Sequence, residues 1–249
     1  MEKSQLKVAT YNIHKCRGLD QKTSPERIVE VIRQLDADVI CLQEVVHAPE
    51  GLPQFNQAER IASGLPEYTW AFGGNRSLHG GTYGNMTLTR LSLTHWRNHD
   101  LTHQRREERG VLQTDVALAE NRLLRIFNVH LGTSFLERRH QGKRLFDGGI
   151  LAQEENSHPR LVLGDLNEWT RGVTTRLLSK EFETFRPKHL WRFPRTYPGI
   201  FPLMTLDHLY FESPLSLVST ELWRSRAAMV ASDHLPLTAL FEVADSQVR

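Results

Sequence analysis

The sequence is short of cysteine: of its 249 residues only Cys16 and Cys41 carry a thiol. Two thiols are too few for a small secreted scaffold stapled by disulfides. No Cys-x-x-Cys spacing occurs, so a zinc ribbon or finger has no ligand set. Cys41 sits in Val39-Ile40-Cys41-Leu42 and reads as a small core residue. Long apolar runs are also missing. No segment approaches the roughly 20 apolar residues that a membrane span requires. The opening residues Met1 to Gln5 are polar and lack the apolar centre of a signal peptide. Low-complexity tracts, linkers and blocks of one charge are absent, and the net charge is only +2. Bulk charge therefore selects no partner. The expectation is a cytoplasmic, monomeric protein without integral membrane association.

What is present suits a globular chain, with 39% hydrophobic and 24% charged residues. The informative stretch is Leu161-Val162-Leu163-Gly164-Asp165-Leu166-Asn167. A short apolar run bounded by turn signals reads as a buried strand. Side chains alternate along an extended chain, so Asp165 and Asn167 are expected on the same face. Gly164 lets the backbone approach a neighbour closely. A carboxylate and a carboxamide thus meet at a strand's carboxyl end, a common place for polar chemistry in α/β proteins.

Taken in order, Leu6 to Ile13 alternates as a strand ending at Asn12. Ser24-Pro25-Glu26 starts a helix, and Ile28, Val31, Ile32 and Leu35 give it one apolar face. Val39 to Leu42 is a second buried strand, running into Gln43-Glu44. Parallel pairing in this unit places Asn12 and Glu44 on one edge. A carboxylate there is costly unless paired or metal-bound.

Gln57 to Leu65 reads as a short helix and Tyr68 to Phe72 as a strand, while Gly73-Gly74 and Gly80-Gly81 bracket an expected mobile loop. Strands follow at Tyr83–Thr89, Val111–Ala119 and Leu123–Leu131, the last two joined by a turn at Glu120-Asn121-Arg122. His95 to Arg109 is polar and reads as no element, and a helix is expected from Phe135 to Gln153. Beyond Asn167 come a helix near Val173–Leu178, a loop-rich segment from Phe185 to Pro202, and strands at Thr205–Phe211, Leu215–Trp223 and Leu237–Val243. Candidate site residues spread from Asn12 to Asp233, so a single domain over 1–249 is expected.

The polar residues at these ends are Asn12, Glu44, His130, Asp165, Asn167, Asp207, Asp233 and His234. Oxygen donors without a thiolate suit Mg²⁺ or Mn²⁺ better than zinc. The motifs Tyr11-Asn12-Ile13, Leu42-Gln43-Glu44-Val45, Tyr83-Gly84-Asn85, Asn128-Val129-His130-Leu131, Gly164-Asp165-Leu166-Asn167, Leu206-Asp207-His208 and Ser232-Asp233-His234-Leu235-Pro236 occur in this order. Together they resemble the endonuclease/exonuclease/phosphatase superfamily of metal-dependent phosphoesterases, along nearly the whole chain.

The resemblance implies a four-layer α/β sandwich, two packed mixed β-sheets flanked by helices. It implies Glu44 as the principal Mg²⁺ (or Mn²⁺) ligand, with Asn12 beside it and Asp233 nearby. His234 would be the general base, held by Asp207. Asp165 and Asn167 would orient water and phosphate, and His130 would touch a phosphate oxygen or assist the leaving group. Arg109 and Asn85 would contact substrate. The implied activity is phosphodiester hydrolysis by water, with DNA and other nucleic acids as the first substrate class and phospholipid or sugar-phosphate esters as the second. A non-catalytic phosphate-binding protein on the same fold is expected to lack Glu44, Asp165 or His234, and all are present.

Two departures weaken particular branches. His14 stands where some branches carry an acid, which weakens a strict abasic-endonuclease reading. No apolar membrane-docking hairpin is evident, which counts against a membrane-inserting sphingomyelinase. His14 and His140 read as surface histidines. Trp191, Phe193 and Tyr197 read as loop packing rather than base-stacking groups. The run Glu137 to Arg144 is basic, and Arg138, Arg139, Lys143 and Arg144 suit solvent and substrate phosphate equally.

Overall fold

The structure is a computed structural model that describes residues 4–49, 55–78, 80–119, 122–152, 158–169, 172–185 and 194–244. Strand β1 (Ser4–Asn12) leads through a short 3-10 turn at His14–Cys16 into helix α1 (Pro25–Leu35) and strand β2 (Val39–His47). The start of α1 is set by its cap. The Ser24 hydroxyl accepts from the Arg27 N–H at 3.4 Å, and Pro25 needs no partner for its nitrogen. Asp36 ends the helix in the left-handed region, at φ 45°.

Helix α2 (Gln57–Ser63) precedes the hairpin of β3 (Thr69–Leu78) and β4 (Gly81–Thr89). Then come β5 (Leu93–Asp100), β6 (Gly110–Ala119), β7 (Arg122–His130), α3 (Phe135–Asp147), β8 (Arg160–Asp165), α4 (Val173–Glu181) and β9 (Glu183–Thr184). The chain closes with β10 (Asp207–Phe211), β11 (Leu215–Leu222), α5 (Arg226–Ala231) and β12 (Leu237–Val243).

The strands form two mixed six-stranded sheets, ordered β11-β12-β1-β2-β4-β3 and β5-β6-β7-β8-β10-β9. Each contains one parallel pair, β1 with β2 and β7 with β8. One apolar cluster joins Ile28, Val31 and Ile32 of α1, Ile61 of α2 and Ala228 of α5 to Ala9, Tyr11, Ile40 and Leu42 of the first sheet. A second fills the space between the sheets, with Leu6, Val8, Val39, Cys41, Leu124, Ile126, Leu161, Leu163, Leu209 and Phe211. A third packs Leu145 of α3 and Leu178 of α4 on Phe127, Val129 and Val162. The order of layers is therefore helix, sheet, sheet, helix, as the family resemblance implies.

The inter-sheet faces change character along their length. Period-two alternation places Leu6 and Val8 of β1 on the same face as Thr10 and Asn12. In the same way Val39 and Cys41 lead to Gln43, Leu124 and Ile126 to Asn128 and His130, and Leu161 and Leu163 to Asp165. On the antiparallel β10 the order reverses, with Asp207 ahead of Leu209 and Phe211. One end of the inter-sheet layer is thus a dry core and the other is polar.

Buried amides hold the boundary between the two. Gln43 Nε2 donates to Asn128 Oδ1 at 2.8 Å, and Asn128 Nδ2 donates to the carbonyls of Leu42 and Met86 at 3.0 Å each. Asn85 of β4 donates across the sheets to the carbonyls of Asn128 (3.0 Å) and Gly110 (3.2 Å).

Several sequence expectations are corrected. Gly73, Gly74 and Gly81 belong to a β-hairpin, not to a loop. A Cβ on Gly84 would lie 1.9 Å from the Gly73 carbonyl oxygen, so glycine here serves close strand approach. The polar segment from His95 contains most of β5, an edge strand whose mainly exposed or half-buried side chains leave no apolar alternation to read. β2 does not stop at Leu42 but runs on to His47 through a bulge. Helix α3 ends at Asp147, before Gly148 and Gly149, and α5 has no counterpart in the sequence reading. Glu120, Asn121, Gln153, Trp191 and Phe193 lie outside the described residues.

Replacing Asn128 with leucine should remove one hydrogen bond from each of the Leu42 and Met86 carbonyls and one partner of Gln43. The expected loss is about 2–4 kcal/mol, read as a lower urea midpoint with an unchanged m-value.

Candidate active site

The polar end of the inter-sheet layer gathers side chains from both sheets. Asn12, at the end of β1, is buried, and its Nδ2 donates to Glu44 Oε1 at 3.3 Å and to Asp165 Oδ2 at 3.0 Å. Its Oδ1 accepts the His14 N–H at 3.0 Å, which begins the turn that follows.

Glu44 owes its direction to the bulge. Leu42 pairs with Met86 and Val45 with Gly84, so Gln43 and Glu44 together face Asn85. Glu44 takes a left-handed conformation, at φ 63°. Strict alternation after Gln43 would send Glu44 toward the helix layer; the bulge returns it to the site. Backbone strain of this kind costs on the order of 1–3 kcal/mol and tends to collect at functional sites. It recurs beside Glu44, where His14, Lys15 and Cys16 all have positive φ (45°, 55° and 56°). That turn delivers Lys15 Nζ to within 2.6 Å of Glu44 Oε2, while Gln57 Nε2 holds the Lys15 carbonyl at 2.6 Å. Burial alone would raise the Glu44 pKa, but the charges of His130 and Lys15 and the bonds from Lys15 and Asn12 bring it down to about 2. His130 is itself held neutral, so at neutral pH Lys15 is the operative cation.

The second sheet supplies His130, Asp165 and Asp207 from three adjacent strands in register, with His130 opposite Asp165 and Asp165 opposite Asp207. A Cβ on Gly164 (φ 144°) would lie 1.9 Å from the Val129 carbonyl oxygen, so β8 reaches this position only with glycine. Asp165 Oδ2 stands 3.7 Å from His130 Nε2 and 3.8 Å from His234 Nε2. Burial, with help from the Asp207 charge, pushes Asp165 up to about 6 despite the pull of His234. His130 packs on Arg109, whose Nη1 lies 3.0 Å from its Nδ1. A guanidinium only donates, so His130 accepts there as a neutral ring. Burial and the Arg109 charge hold its pKa well below the usual histidine value.

His234 hangs from the turn before β12. Its backbone N–H donates to Ser232 Oγ (3.3 Å), and that hydroxyl donates to the Asn12 carbonyl at 2.8 Å. Its Nδ1 meets Asp207 Oδ2 at 2.9 Å, which leaves Nε2 facing Asp165. Asp207 Oδ1 is buried without a partner. Burial disfavours the imidazolium, but Asp207, Asp165 and Asp233 together outweigh it and raise the pKa to about 10.

The structure thus brings together Asn12, Glu44, His130, Asp165, Asp207, His234 and Arg109. Asp233 is at the rim, 3.6 Å from His14 Nδ1. Asn167 departs from the expected shared face with Asp165. The strand ends at Asp165, Asn167 turns left-handed (φ 51°), its N–H donates to Asp165 Oδ1 at 2.9 Å, and its Nδ2 donates to the Leu131 carbonyl at 2.9 Å. Asn85 lies between the sheets with its Nδ2 on two backbone carbonyls and its Oδ1 unpartnered. Lys15 was not read from the sequence, because nothing in the polar loop after Asn12 distinguishes it. Tyr197, read from the sequence as loop packing, has its ring centroid 5.0 Å from that of His234.

Among the described residues no three Asp, Glu, His or Cys side chains form a preformed metal cage. The donor chemistry nevertheless fits a hard cation. Glu44, Asp165 and Asp233 offer carboxylate oxygens, Asp207 Oδ1 is an orphaned buried acceptor, and an ammonium already sits against Glu44. Mg²⁺ commonly takes one or two carboxylates and keeps several waters.

Replacing Asp207 with asparagine removes the first-ranked of the three carboxylates that raise His234. The His234 ring should then titrate far below 10, toward 6.5, when followed by NMR of its ring nitrogens. In the wild type the His234–Asp207 pair should add stability that is fully present below pH 6.5 and lost as pH rises through about 10.

Comparison with known proteins agrees with this fold. The profile of the Endonuclease/Exonuclease/phosphatase family matches residues 9–234. YbhP of Escherichia coli K12 is 30% identical over 253 aligned positions, covering 94% of this chain and 95% of that one. An endonuclease/exonuclease/phosphatase from Beutenbergia cavernae superposes with a TM-score of 0.80 at 18% identity, over 100% of this chain and 74% of that one. The mannosyl-6-phosphatase Bt3783 of Bacteroides thetaiotaomicron superposes with a TM-score of 0.70 at 15% identity, over 94% and 98% of the two chains. Members of the family are generally metal-dependent. The chain belongs to the Endonuclease/Exonuclease/phosphatase family and is a hydrolase of phosphoester bonds.

Proposed function

We propose that the protein is a Mg²⁺-dependent phosphodiesterase in which His234 activates the attacking water. The observation that carries this reading is the Asp207–His234 pair at 2.9 Å, with the free Nε2 turned toward Asp165. The Asp207 carboxylate fixes the tautomer with hydrogen on Nδ1, so Nε2 is the atom that takes the proton. Glu44 and Asn12 would hold the metal with Asp233 nearby, and Asp165 and Asn167 would orient water and phosphate. His130, neutral and backed by Arg109, suits a hydrogen bond to a phosphate oxygen better than proton donation to the leaving group. A bound Mg²⁺ supplies neutralisation of phosphate charge, stabilisation of the leaving oxygen and relief of the carboxylate field that keeps His234 protonated. The new bond joins the water oxygen to phosphorus, and the ester P–O bond breaks. Because Asn12 and His234 come from opposite ends of the chain, the catalytic unit spans both.

The substrate class is set by the surroundings of this machinery rather than by the machinery itself. Nucleic acid is the first class, on the family resemblance. A phospholipid or sugar-phosphate ester is the second, and the exposed apolar side chains of Trp169, Ile200 and Phe201 favour a lipid ester.

A comparison of wild type and His234→Ala, with Mg²⁺ varied, tests the reading on plasmid DNA, single-stranded DNA, bis-p-nitrophenyl phosphate and a phospholipid headgroup ester. His234→Ala should lose roughly 10²- to 10⁴-fold in turnover while binding Mg²⁺ nearly as before. Glu44→Ala should weaken Mg²⁺ binding measured by calorimetry. Near-full activity of His234→Ala would refute the assignment of the base.

A further inference from the structure

We propose that the mouth of this site docks on an anionic lipid bilayer. The inference rests on the phosphoesterase reading for its purpose only, since the docking is a binding property in its own right. It begins with the strand register. His130, Asp165 and Asp207 are opposite one another on β7, β8 and β10, so the segments leaving these strands at that end share one edge of the molecule. Those segments carry large apolar side chains that are exposed. Leu136 follows β7 at 64% exposure, Trp169 follows β8 at 61%, and Ile200 and Phe201 precede β10 at 63% and 69%. Leu203 is exposed on the same segment.

The last group forms the tip of a hairpin anchored beside the catalytic histidine. Tyr197 and Met204 bridge its base, Gly199 N–H donates to the Asp233 carbonyl at 2.6 Å, and Leu235 N–H donates to the Thr196 carbonyl at 2.9 Å. The sequence gives no sign of this hairpin, because Pro198 to Pro202 reads as an irregular loop. Exposed apolar surface clustered in this way marks an interaction site.

The chemistry of the patch selects the partner. Phe135, Trp169 and Phe201 bring rings to the patch, but Leu136, Ile200 and Leu203 are aliphatic and have none on which a base can stack, whereas hydrocarbon accepts both kinds. The cations around them suit anionic headgroups. Arg17 and Lys22 are exposed in the loop after β1, Arg139 lies one turn beyond Phe135, and Arg195 stands at the foot of the hairpin. The acids on these segments are already committed. Glu168 accepts the Thr174 and Thr175 N–H groups, Glu137 is buried, and Asp20 pairs with Arg27 at 3.1 Å. Apolar tips flanked by exposed arginines such as Arg139 and Arg195 suit interfacial binding to acidic lipid. The tips would enter the acyl boundary, with His234 behind them at headgroup depth.

The test is co-sedimentation of the full chain with phosphatidylcholine vesicles, with and without phosphatidylglycerol. Wild type should bind the phosphatidylglycerol vesicles, more weakly as salt is raised. The double variant I200S/F201S and the single variant W169S should each partition at least about tenfold less, while keeping wild-type thermal unfolding and wild-type hydrolysis of bis-p-nitrophenyl phosphate. R139E/R195E should reduce binding to the acidic vesicles only. The proposal is overturned if wild type stays in the supernatant, or if the folded I200S/F201S and W169S variants partition as wild type does. It is equally overturned if the tip variants lose binding to a single-stranded DNA oligonucleotide while the vesicles capture nothing. Vesicle binding by a protein that hydrolyses no phosphoester would instead leave the docking standing and remove the phosphodiesterase reading.

Discussion

Everything in the site depends on the registry of two β-sheets. Asn12 and Glu44 come from one sheet, and His130, Asp165 and Asp207 from the other. An apolar interface is non-directional and tolerates sliding, whereas hydrogen bonds between buried amides do not. The Gln43–Asn128 bond at 2.8 Å and the Asn85 bonds to the Asn128 and Gly110 carbonyls therefore act as pins. They sit where the inter-sheet layer passes from dry core to polar site. A displacement by one pleat there would separate Asn12 from Asp165, and the 3.0 Å bond that joins the two halves of the site would be lost.

The same strands thus serve folding at one end and chemistry at the other. Leu6 and Val8, or Leu161 and Leu163, supply the apolar burial that stabilises the sandwich. Two or four residues further along the same face, the alternation delivers Asn12 and Asp165. The cost of burying and concentrating acids at that end is visible in Asp165, raised to about 6 chiefly by burial, and in His234, raised to about 10 by the carboxylates around it. It is visible too in the left-handed backbone of Glu44 and of His14 to Cys16. Lys15 and Arg109 offset part of the negative charge, Lys15 at Glu44 and Arg109 behind His130. A divalent cation would share the role Lys15 plays at Glu44.

Much of the architecture was legible in the sequence, because the apolar alternation of β1, the apolar run of β8 and the Ser24-Pro25 cap are local signals. So were most of the side chains that meet at the site, as each ends or flanks such a strand. What could not be read depends on distant partners. Edge strand β5 has no apolar face of its own and is fixed by pairing with β6. The glycines from Gly73 to Gly81 belong to a hairpin, and its strands approach closely because Gly84 admits the Gly73 backbone. The bulge that turns Glu44 into the site is a mismatch between two strands, which neither strand records alone. Asn167 looked like a partner of Asp165 on one face, but a turn closed by the Asp165 carboxylate itself redirects it. The exposed tip at Ile200 and Phe201 escaped notice because its position comes from hydrogen bonds to Thr196 and Asp233.

The central claim, that the polar end of the inter-sheet layer is a metal-assisted phosphoesterase centre, is met most directly by anomalous diffraction from crystals soaked in Mn²⁺. One dominant peak is expected within coordination distance of a Glu44 carboxylate oxygen, lost in Glu44→Ala crystals. A dominant peak elsewhere, or none at Glu44 under conditions in which the enzyme turns over, would contradict it.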